Sequence, residues 1–405
     1  MRKVRSKRLG DLINLKRGYD LPESKRTHGK YPVITSAGIS SYHNEYKVEG
    51  IGVVIGRYGT LGDAHFIDGR YWPHNTSLYV TDFKRNSPLY IYYLLTCLGR
   101  IKTSDKSAVP GVNRNELHEM SVPAVFDCNL QERIASVLSI LDAKIELNNR
   151  INAELEGMAK LLYDYWFVQF DFPITADQAA AMGKPKLEGK PYRASGGKMV
   201  YNEKLKREIP EGWGCVALGE FEPNIITGKT PPTSVAEYYN GDIPFICIGD
   251  VRGNMHVVKT GLTLSKLGAE TQKKKYIPKG AICVTCIASP GLIAFATENS
   301  QTNQQLNSVV CQRIEHRAFL YFELNQFFRF SSGAKTGNTF ANMSKGDFSE
   351  ILVLEPPNKV IQLFHELISS NIELVLNNSL QNQELTKLRD WLLPMLMNGQ
   401  VTVGS

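Results

Sequence analysis

The sequence predicts an α+β fold in which two pseudo-repeated, mainly β domains are separated by two long helices packed as an antiparallel coiled coil. Three observations predict it. The chain repeats itself at an interval of about 210–230 residues, each half places a helical region after a β-rich region, and both helical regions carry a regular apolar stripe. The 405 residues suffice for two to four domains at the usual ~100–200 residues each.

The internal repeat consists of short matches that occur in the same order in both halves. Leu9-Gly10-Asp11 returns as Leu218-Gly219-Glu220, and the motif ending at Gly18 returns as the motif ending at Gly228. Later matches pair Tyr31–Ile34 with Ile243–Ile246, Gly50–Ile55 with Gly280–Thr285, His74–Leu78 with Asn303–Leu306, and Leu117–Met120 with Phe348–Ile351. Because the order is preserved, we interpret the halves as duplicated domains.

Composition divides the chain into alternating segments. Residues 1–126 and 209–356 contain short runs of Val, Ile and Tyr broken by Gly and Pro, which is typical of β-rich domains. Residues 127–170 and 357–400 are predicted long helices, and Asn129 is the predicted N-cap of the first. Small residues, Pro and Gly indicate a basic linker at 171–208, and 401–405 form a tail.

Both helices carry apolar residues at alternating steps of four and three, the pattern of a coiled-coil seam. The predicted seam positions are Ile134, Leu138, Leu141, Ile145, Asn148, Asn152, Leu155 and Leu162 in the first helix, and Val360, Phe364, Leu367, Asn371, Leu374, Asn378, Leu385, Leu388 and Leu392 in the second. Buried Asn costs stability but fixes register, so we expect the two seams to pack against each other. The alternative is that both are ordinary amphipathic helices on a core, although their length argues against it.

The net charge of +7 is unevenly distributed. Residues 1–30 hold ten Lys and Arg against three acidic residues, and residues 184–208 hold eight against three. The first helix, over 127–166, nets −3. A nucleic-acid binder with this distribution would use patches rather than uniform positive charge.

Several function classes are excluded by their missing motifs. Pro223 stands where a P-loop ending at Gly228-Lys229-Thr230 needs its first Gly, and neither Pro-Pro pair fits the base-binding loop of an adenine methyltransferase. Cys283 and Cys286 form a lone C-x-x-C in a predicted strand, so we expect buried thiols and no metal site. No apolar run is long enough to span a membrane, and seven scattered cysteines favour a reducing, cytoplasmic location.

Binding chemistry remains, because basic residues alternate with aromatic and amide residues in the predicted loops. Arg reads guanine and Asn or Gln reads adenine in the major groove, whereas Lys and Thr hold phosphates. The candidate DNA-binding residues are Lys16, Arg17, Lys25, Arg26, His28, Arg57, Tyr58, His74, Asn75 and Arg114 in the first half, and Lys229, Thr230, Arg252, Asn254, Lys273, Lys274, Lys335, Asn338 and Asn342 in the second. We predict no catalytic and no metal-binding residues.

Several local signatures resemble the specificity subunit of type I restriction–modification enzymes. They are Gln131–Ala135, Leu141–Ile145 with Asn148-Asn149, Leu161–Asp171, Ile209–Trp213, Ser107–Asn113 and Leu388–Gly399. Their order and spacing cover nearly the whole chain.

The resemblance implies that each β-rich domain is a target recognition domain for one half of a bipartite, asymmetric site in double-stranded DNA. It further implies that the coiled coil sets the half-site spacing and docks two methyltransferase subunits, which can be joined by two motor/nuclease subunits. S-adenosylmethionine, ATP and Mg²⁺ would belong to those partners, and this chain would hold no cofactor and catalyse no reaction itself.

Two other classes stay open at this point. The chain could be a non-catalytic coiled-coil adaptor with little intrinsic DNA specificity, or an enzyme in its own right. Retention of a specific duplex separates the first from a recognition subunit, and turnover by the purified chain would identify the second.

Overall fold

The computed structural model describes residues 4–57, 63–98, 113–333 and 342–403. The chain divides into two compact units, one formed by Met1–Glu146 with Glu384–Ser405 and the other by Leu147–Gln383.

The described part of the first unit contains a mixed sheet and short helices. Its elements are β1 (Val4–Arg8), α1 (Leu9–Leu12), β2 (Asn14–Arg17), β3 (Tyr31–Thr35), β4 (Gly38–His43), β5 (Val48–Gly56), β6 (Ala64–Pro73), β7 (Ser77–Asp82), α2 (Pro88–Leu98), α3 (Arg114–Glu119), β8 (Ser121–Val125) and the first half of α4 (Cys128–Tyr163). Six of these strands pair in the order β2-β7-β5-β6-β3-β4, in which the β3–β6 pair is parallel and the others are antiparallel. A separate antiparallel pair joins β1 to β8.

The described part of the second unit follows the same plan with more strands. A π-helical turn, Asp164–Val168, follows α4. The later elements are α5 (Ala176–Ala181), β9 (Met199–Asn202), β10 (Arg207–Pro210), β11 (Gly214–Ala217), α6 (Leu218–Phe221), β12 (Ile225–Thr227), β13 (Tyr239–Ile246), α7 (Ile248–Val251), β14 (His256–Val257), β15 (Leu262–Leu264), α8 (Lys266–Glu270), β16 (Ile282–Thr285), β17 (Ile293–Ala296), β18 (Gln301–Thr302), β19 (Leu306–Val309), α9 (Ile314–Gly333), α10 (Lys345–Ser349), β20 (Leu352–Glu355) and α11 (Asn358–Met397). One sheet has the order β12-β19-β16-β17-β14, and β11 pairs with β20 as β1 pairs with β8.

The repeat seen in the sequence is also present in the backbone hydrogen bonds. Leu9 N donates to Met120 O and Leu218 N donates to Ile351 O, both at 2.8 Å. In the same way, Gly18 N bonds Ser77 O and Gly228 N bonds Leu306 O, both at 3.1 Å. Equivalent residues therefore make equivalent bonds, which supports duplicated domains at the level of atoms.

The core of each unit packs one sheet face against helices. In the first unit, Val53 and Leu78 of the sheet pack with Tyr90 of α2 and Ile134 of α4. In the second, Phe319 of α9 and Phe364 of α11 pack with Phe167 of the π-helical turn. The Phe167 ring centroid lies 4.9 Å from that of Phe319 and 5.1 Å from that of Phe364. The ends of the long helices therefore belong to the domain cores.

Segment 171–208, for which composition predicts a linker, is folded in the structure. Thr175 and Gln178 form a capping box at the start of α5, and β9 pairs with β10 as a hairpin. Phe172 is fully buried and its ring stacks 4.7 Å from that of Tyr192. Phe172 and Tyr192 both belong to the main core of the second unit, which the Gly, Pro and Lys content of the segment does not reveal.

The first long helix begins and packs nearly as predicted. Asp127, rather than Asn129, caps it, because the Asp127 carboxylate accepts hydrogen bonds from the backbone N–H groups of Asn129 and Leu130. All eight predicted seam positions of α4 are buried or half-buried: Ile134, Leu138, Leu141, Ile145, Asn148, Asn152, Leu155 and Leu162. These eight positions therefore all lie on the less exposed side of α4.

The seam predicted for α11 is wrong at three positions. Leu367, Leu374 and Leu388 are 57%, 45% and 43% exposed, whereas Ile368 and Val375 are 1% and 2% exposed. Early in α11, the buried residue that follows Phe364 is Ile368, four positions later, and not Leu367, three positions later. That part of the helix packs on the core of its domain, so its buried stripe follows the 3.6-residue period of a straight helix instead of the 3.5-residue period of a two-helix seam.

The other predicted positions of α11 lie on or beside its buried stripe. Val360 and Phe364 are buried, and Asn371, Asn378, Leu385 and Leu392 are half-buried. Near the C-terminus, Arg389 replaces Leu388 in the interface and donates to Asp142 Oδ1 at 2.8 Å. The helix continues through Pro394 to Met397 and is followed by Gly399 at φ +75°.

Within the second unit, α4 and α11 meet through a layer of amide side chains. Asn148 donates to Gln381 and Asn382 at 2.8 and 2.9 Å, and Asn378 donates to Asn152 at 2.9 Å. Residue numbers rise along one helix as they fall along the other, so the two helices run antiparallel here. Together with the two long helices and the duplicated domains, this confirms the predicted fold class.

Candidate nucleic-acid interface

The loop after β2 and the turn before β7 form the candidate interface of the first unit. Tyr19 N donates to Pro73 O at 2.8 Å, and Arg17 Nε donates to Asn75 O at 3.4 Å. The Asn75 side-chain amide donates to the Asp20 carboxylate. Two loops that are far apart in the chain are therefore joined at one end of the sheet.

Glycine permits this close approach of the two loops. A Cβ at Gly18 would lie 2.2 Å from His74 O, and a Cβ at Gly228 would lie 2.1 Å from Asn303 O. Both distances are far below van der Waals contact. Each half of the chain therefore needs a residue without a side chain at this position.

Arg26, Arg57 and His74 complete the cluster in the first unit. Arg26 donates to Leu21 O and to Ser41 Oγ, both at 3.3 Å, and Arg57 N donates to Thr76 O at 3.0 Å. Burial and the positive charge of Arg26 lower the pKa of His74 below its usual 6.5. His74 is therefore neutral at pH 7, and its Nδ1 lies 3.0 Å from Thr76 Oγ1 and accepts from Thr76 N at 3.4 Å, so the ring braces the turn before β7.

A tyrosine pair supports the same loop. Tyr19 OH lies 3.1 Å from Tyr79 OH, and Lys16 Nζ lies 5.5 Å from the Tyr19 ring centroid. The hydrogen bond with Tyr79 lowers the pKa of Tyr19, whereas burial raises the pKa of Tyr79. The Lys16 ammonium therefore lies over the face of the Tyr19 ring.

The second unit repeats the loop pair. Lys229 N donates to Thr302 O at 2.9 Å, as Tyr19 N does to Pro73 O. Thr230 Oγ1 donates to Gln304 Oε1, at the positions equivalent to Asp20 and Asn75. Gln272 donates to Lys229 O at 2.7 Å, so the turn containing Lys273 and Lys274 follows a residue bonded to this loop.

The remaining candidates lie at the edges of these clusters or apart from them. Lys25 and His28 are exposed in the loop that carries Arg26. Arg114 begins α3 and bonds its neighbour Asn115, so the structure does not bring it to the loop pair. In the second unit, Arg252 donates to Ser289 at 3.3 Å and Asn342 bridges to Ile287, which places both beside one loop.

Asn254 folds back on its own segment by donating to the backbone oxygens of Asp250 and Arg252. Three candidates, Tyr58, Lys335 and Asn338, lie outside the described residues, as does most of the Ser107–Asn113 signature.

Several residues of the interface were not among the sequence candidates. Asp20 and Gln304 are the clearest, because each holds a partner across the two loops. Gln304 could have been found from the repeat, since it occupies the position equivalent to Asn75. Lys47 Nζ lies 4.7 Å from the Trp72 ring centroid and Arg70 lies 4.9 Å from that of Tyr46, pairs that no sequence spacing reveals.

Comparison with known proteins finds the same division of the chain into two halves. The family model for the type I restriction modification DNA specificity domain matches residues 1–157 and 210–387, one region in each half. The chain belongs to the type I restriction–modification specificity subunits.

Individual relatives of this specificity subunit fit the same family. The HindI specificity subunit of Haemophilus influenzae is 33% identical over 74% of this chain and 73% of its own length. The MjaIX specificity subunit of Methanocaldococcus jannaschii is 25% identical over 78% of this chain and 69% of its own length. The crystal structure of the S subunit from M. genitalium has a TM-score of 0.58 at 14% identity, covering 99% of this chain and 97% of that one, which shows a shared fold.

The specificity subunit offers no built metal site in the part of the chain that the structure describes. No cluster of three or more His, Cys, Asp or Glu side chains suits a metal ion there. Burial raises the pKa of the Cys283 and Cys286 thiols to about 12 and about 11, so both remain protonated at pH 7. Within the same described ranges, no helix is sufficiently long and apolar to cross a membrane.

The long helices of the specificity subunit keep large apolar side chains on their exposed faces. On α4, Ile140 is 64% exposed and Leu161 is 68% exposed, and on α11 Leu367 is 57% exposed. Single exposed apolar residues are common on protein surfaces.

Proposed function

We propose that each β-rich domain of this specificity subunit reads one half of a bipartite, asymmetric DNA site through its paired loops. The observation that carries the proposal is the repetition of the same loop pair, with Asp20 bonded to Asn75 in one domain and Thr230 to Gln304 in the other. Equivalent architecture with different side chains is the arrangement that reads two different sequences with one framework.

The candidate residues divide by chemistry. Arg17 and Arg57 suit guanine, and Asn75 and Gln304 suit adenine. Lys25, Lys229, Lys273 and Lys274 suit phosphates, which position the protein without reading sequence. Backbone hydrogen bonds fix the loops beneath these side chains, so the geometry is prepared before DNA arrives.

The two long helices set the distance between half-sites in this proposal. At about 1.5 Å per residue, the 36 residues of α4 give a length of about 54 Å. That length corresponds to at most about 16 base pairs of ~3.4 Å each. Hydrogen bonds between side-chain amides, such as the one from Asn148 to Gln381, fix the register of the two helices and therefore the distance between the half-sites.

Partner subunits supply the chemistry. The exposed apolar residues of α4 and α11 are the proposed docking surface for two methyltransferase subunits, and two motor/nuclease subunits join where the system includes them. S-adenosylmethionine, ATP and Mg²⁺ act in those subunits, in the cytoplasm. This chain contributes sequence discrimination and geometry and is not itself catalytic.

The competing adaptor function makes a different prediction for DNA. Gel retardation is measured with the chain, its methyltransferase subunit and a pool of duplexes, followed by sequencing of the retained DNA. The proposed function predicts enrichment of a two-part motif with a fixed gap. Equal retention of all duplexes would support the adaptor instead, and turnover by the purified chain with Mg²⁺, ATP and S-adenosylmethionine would identify an enzyme.

A further inference from the structure

The second unit contains a cleft away from the paired loops. Its volume is about 410 Å³, and it lies among β14, β17, the start of α9 and the middle of α11. His256, Arg317 and His365 line it from three different elements, and Phe295 and Ile372 form apolar walls. Ligand pockets usually span about 300–1,000 Å³, so this cleft has the size for a small ligand.

Three buried nitrogen atoms in this cleft lack hydrogen-bond partners among the described residues. They are His256 Nδ1, Arg317 Nε and His365 Nδ1. His256 as a whole is 7% exposed, so bulk water does not compensate it. Native proteins satisfy nearly all buried polar groups, and three that line one cleft indicate a missing partner: an acceptor for the Arg317 N–H, and an acceptor or a donor for each imidazole nitrogen, depending on its tautomer.

The backbone is shaped to hold Arg317 at this cleft. Gly280 has φ +84°, and a Cβ there would lie 2.3 Å from Arg317 Nη1. The guanidinium therefore rests directly against bare backbone in a space that any side chain would fill. This contact restricts the rotamers of Arg317 and so holds its positive charge at the cleft.

The charge and donor set of the cleft favour a phosphate. Arg317 and Lys279 are cationic, and Glu373 is the acidic residue in the lining. The two histidines add ring nitrogens, and the His256 ring lies 5.4 Å from that of Phe295, which limits its orientation. Guanidinium, ammonium and imidazole groups that approach from different sides match the several oxygens of a phosphate.

We propose that this cleft binds a phosphate group, carried either by a small phosphomonoester or by the DNA backbone. The proposal concerns a site separate from the paired loops and does not depend on base reading by them. Arg317 and His365 are the residues expected to contact the phosphate, while Gly280 positions Arg317.

The test measures binding of inorganic phosphate to the full chain by calorimetry, at constant ionic strength set with chloride. Arg317→Gln and His365→Gln are each expected to weaken phosphate binding at least tenfold. Arg313→Gln removes the same charge from a residue just before α9 and outside the cleft lining, so it is expected to bind as the wild type does. If Arg317→Gln does not fold, as judged by circular dichroism, His365→Gln carries the comparison.

A second arm separates the two sources of phosphate. Binding of a non-specific duplex is measured against salt concentration for the same proteins. If the DNA backbone fills the cleft, Arg317→Gln lowers the salt slope by about one while Arg313→Gln does not. Loss of inorganic phosphate binding without a change in slope identifies a small ligand. Unchanged phosphate binding and unchanged slope in Arg317→Gln and His365→Gln would overturn the proposal.

Discussion

The side-chain amide of Asn75 donates a hydrogen bond to the carboxylate of Asp20, which lies 55 residues earlier in the chain. This bond fixes the turn before β7 to the loop after β2. Thr230 and Gln304 make the corresponding contact in the second domain. Each domain therefore has one side-chain hydrogen bond that joins the two loops of its candidate interface, and the bonded side chains differ between the domains.

Removing one bridge should affect one half-site. Asp20→Ala leaves the Asn75 amide without its carboxylate partner, so the first half of the recognised motif should become degenerate. Hydrogen bonds to charged groups contribute about 1.5–3 kcal/mol, and the exposure of this one places it at or below the lower end. Methylome sequencing of a host that expresses the variant measures the effect, and Asp68→Ala, an exposed acid on β6, is the matched control. Degeneracy in the second half would contradict the assignment.

Substitutions of Arg57 and of Lys25 should have different effects on DNA binding. If Arg57 reads a base, Arg57→Ala should cost about 1–3 kcal/mol of discrimination at one position of the first half-site. If Lys25 holds a phosphate, Lys25→Ala should weaken all duplexes about equally and reduce the salt slope by about one. Competition binding of single-base variants, repeated at several salt concentrations, distinguishes the two effects. An unchanged motif in the Arg57 variant would remove it from the base readers.

The two glycines provide a reciprocal pair of tests. Gly18→Ala should push the loop after β2 away from His74, and Gly228→Ala should push the equivalent loop away from Asn303, because each Cβ would overlap a carbonyl oxygen. We expect the first variant to lose recognition of one half-site and the second variant to lose recognition of the other. Half-site affinities measured on duplexes with one half scrambled check this. The same loss from both variants would argue against independent domains.

Insertions in the helices test whether their length sets the gap. Four residues added to α4 near Asn152 and four to α11 near Asn378 lengthen each helix by about 6 Å, or close to two base pairs. The gap in the methylated motif should lengthen while both halves stay the same. Four residues inserted at Gly189, an exposed turn, should leave the gap unchanged. A constant gap in the helix variant would exclude the spacing role.

A buried carboxylate should make the second unit sensitive to pH. Burial raises the pKa of Glu323 above its usual 4.5, although Tyr163 OH and Leu354 N both donate to it. Because the pKa of Glu323 is higher in the folded state than in the unfolded state, protonation of Glu323 favours folding. This contribution to the free energy of unfolding is fully present below the pKa of the unfolded state and is lost as pH rises through the pKa of the folded state. Glu323→Gln should therefore raise the Tm at neutral pH and leave it unchanged near pH 4. The exposed Glu350→Gln should change neither, and a lower Tm of the Glu323 variant at neutral pH would contradict this account.

The fold could be predicted because its signals are local and repeated. Matches such as Leu9 with Leu218 and Gly18 with Gly228 occur in order, and the structure gives them equivalent hydrogen bonds. The seam of α11 could not be predicted in full, because the stepping rule assumes a partner helix along the entire length. Phe364 and Ile368 instead face the core of a domain, and no local pattern announces that change.

The candidate site could be predicted in composition but not in geometry. Arg17, Arg57, His74 and Asn75 follow from the alternation of basic, aromatic and amide residues in loops. Their convergence depends on long-range pairing of strands and on the bridge from Asp20, neither of which has a sequence spacing. Segment 171–208 shows the same limit, since Phe172 and Tyr192 fold it although its composition indicates a linker.

Methylome sequencing of a host that carries this chain with its methyltransferase subunit tests the central claim most directly. We predict one adenine-methylated motif with two specific parts separated by a fixed non-specific gap, and Gly18→Ala and Gly228→Ala should each degrade a different part. A continuous motif, or a motif that the chain's removal leaves unchanged, would contradict the account.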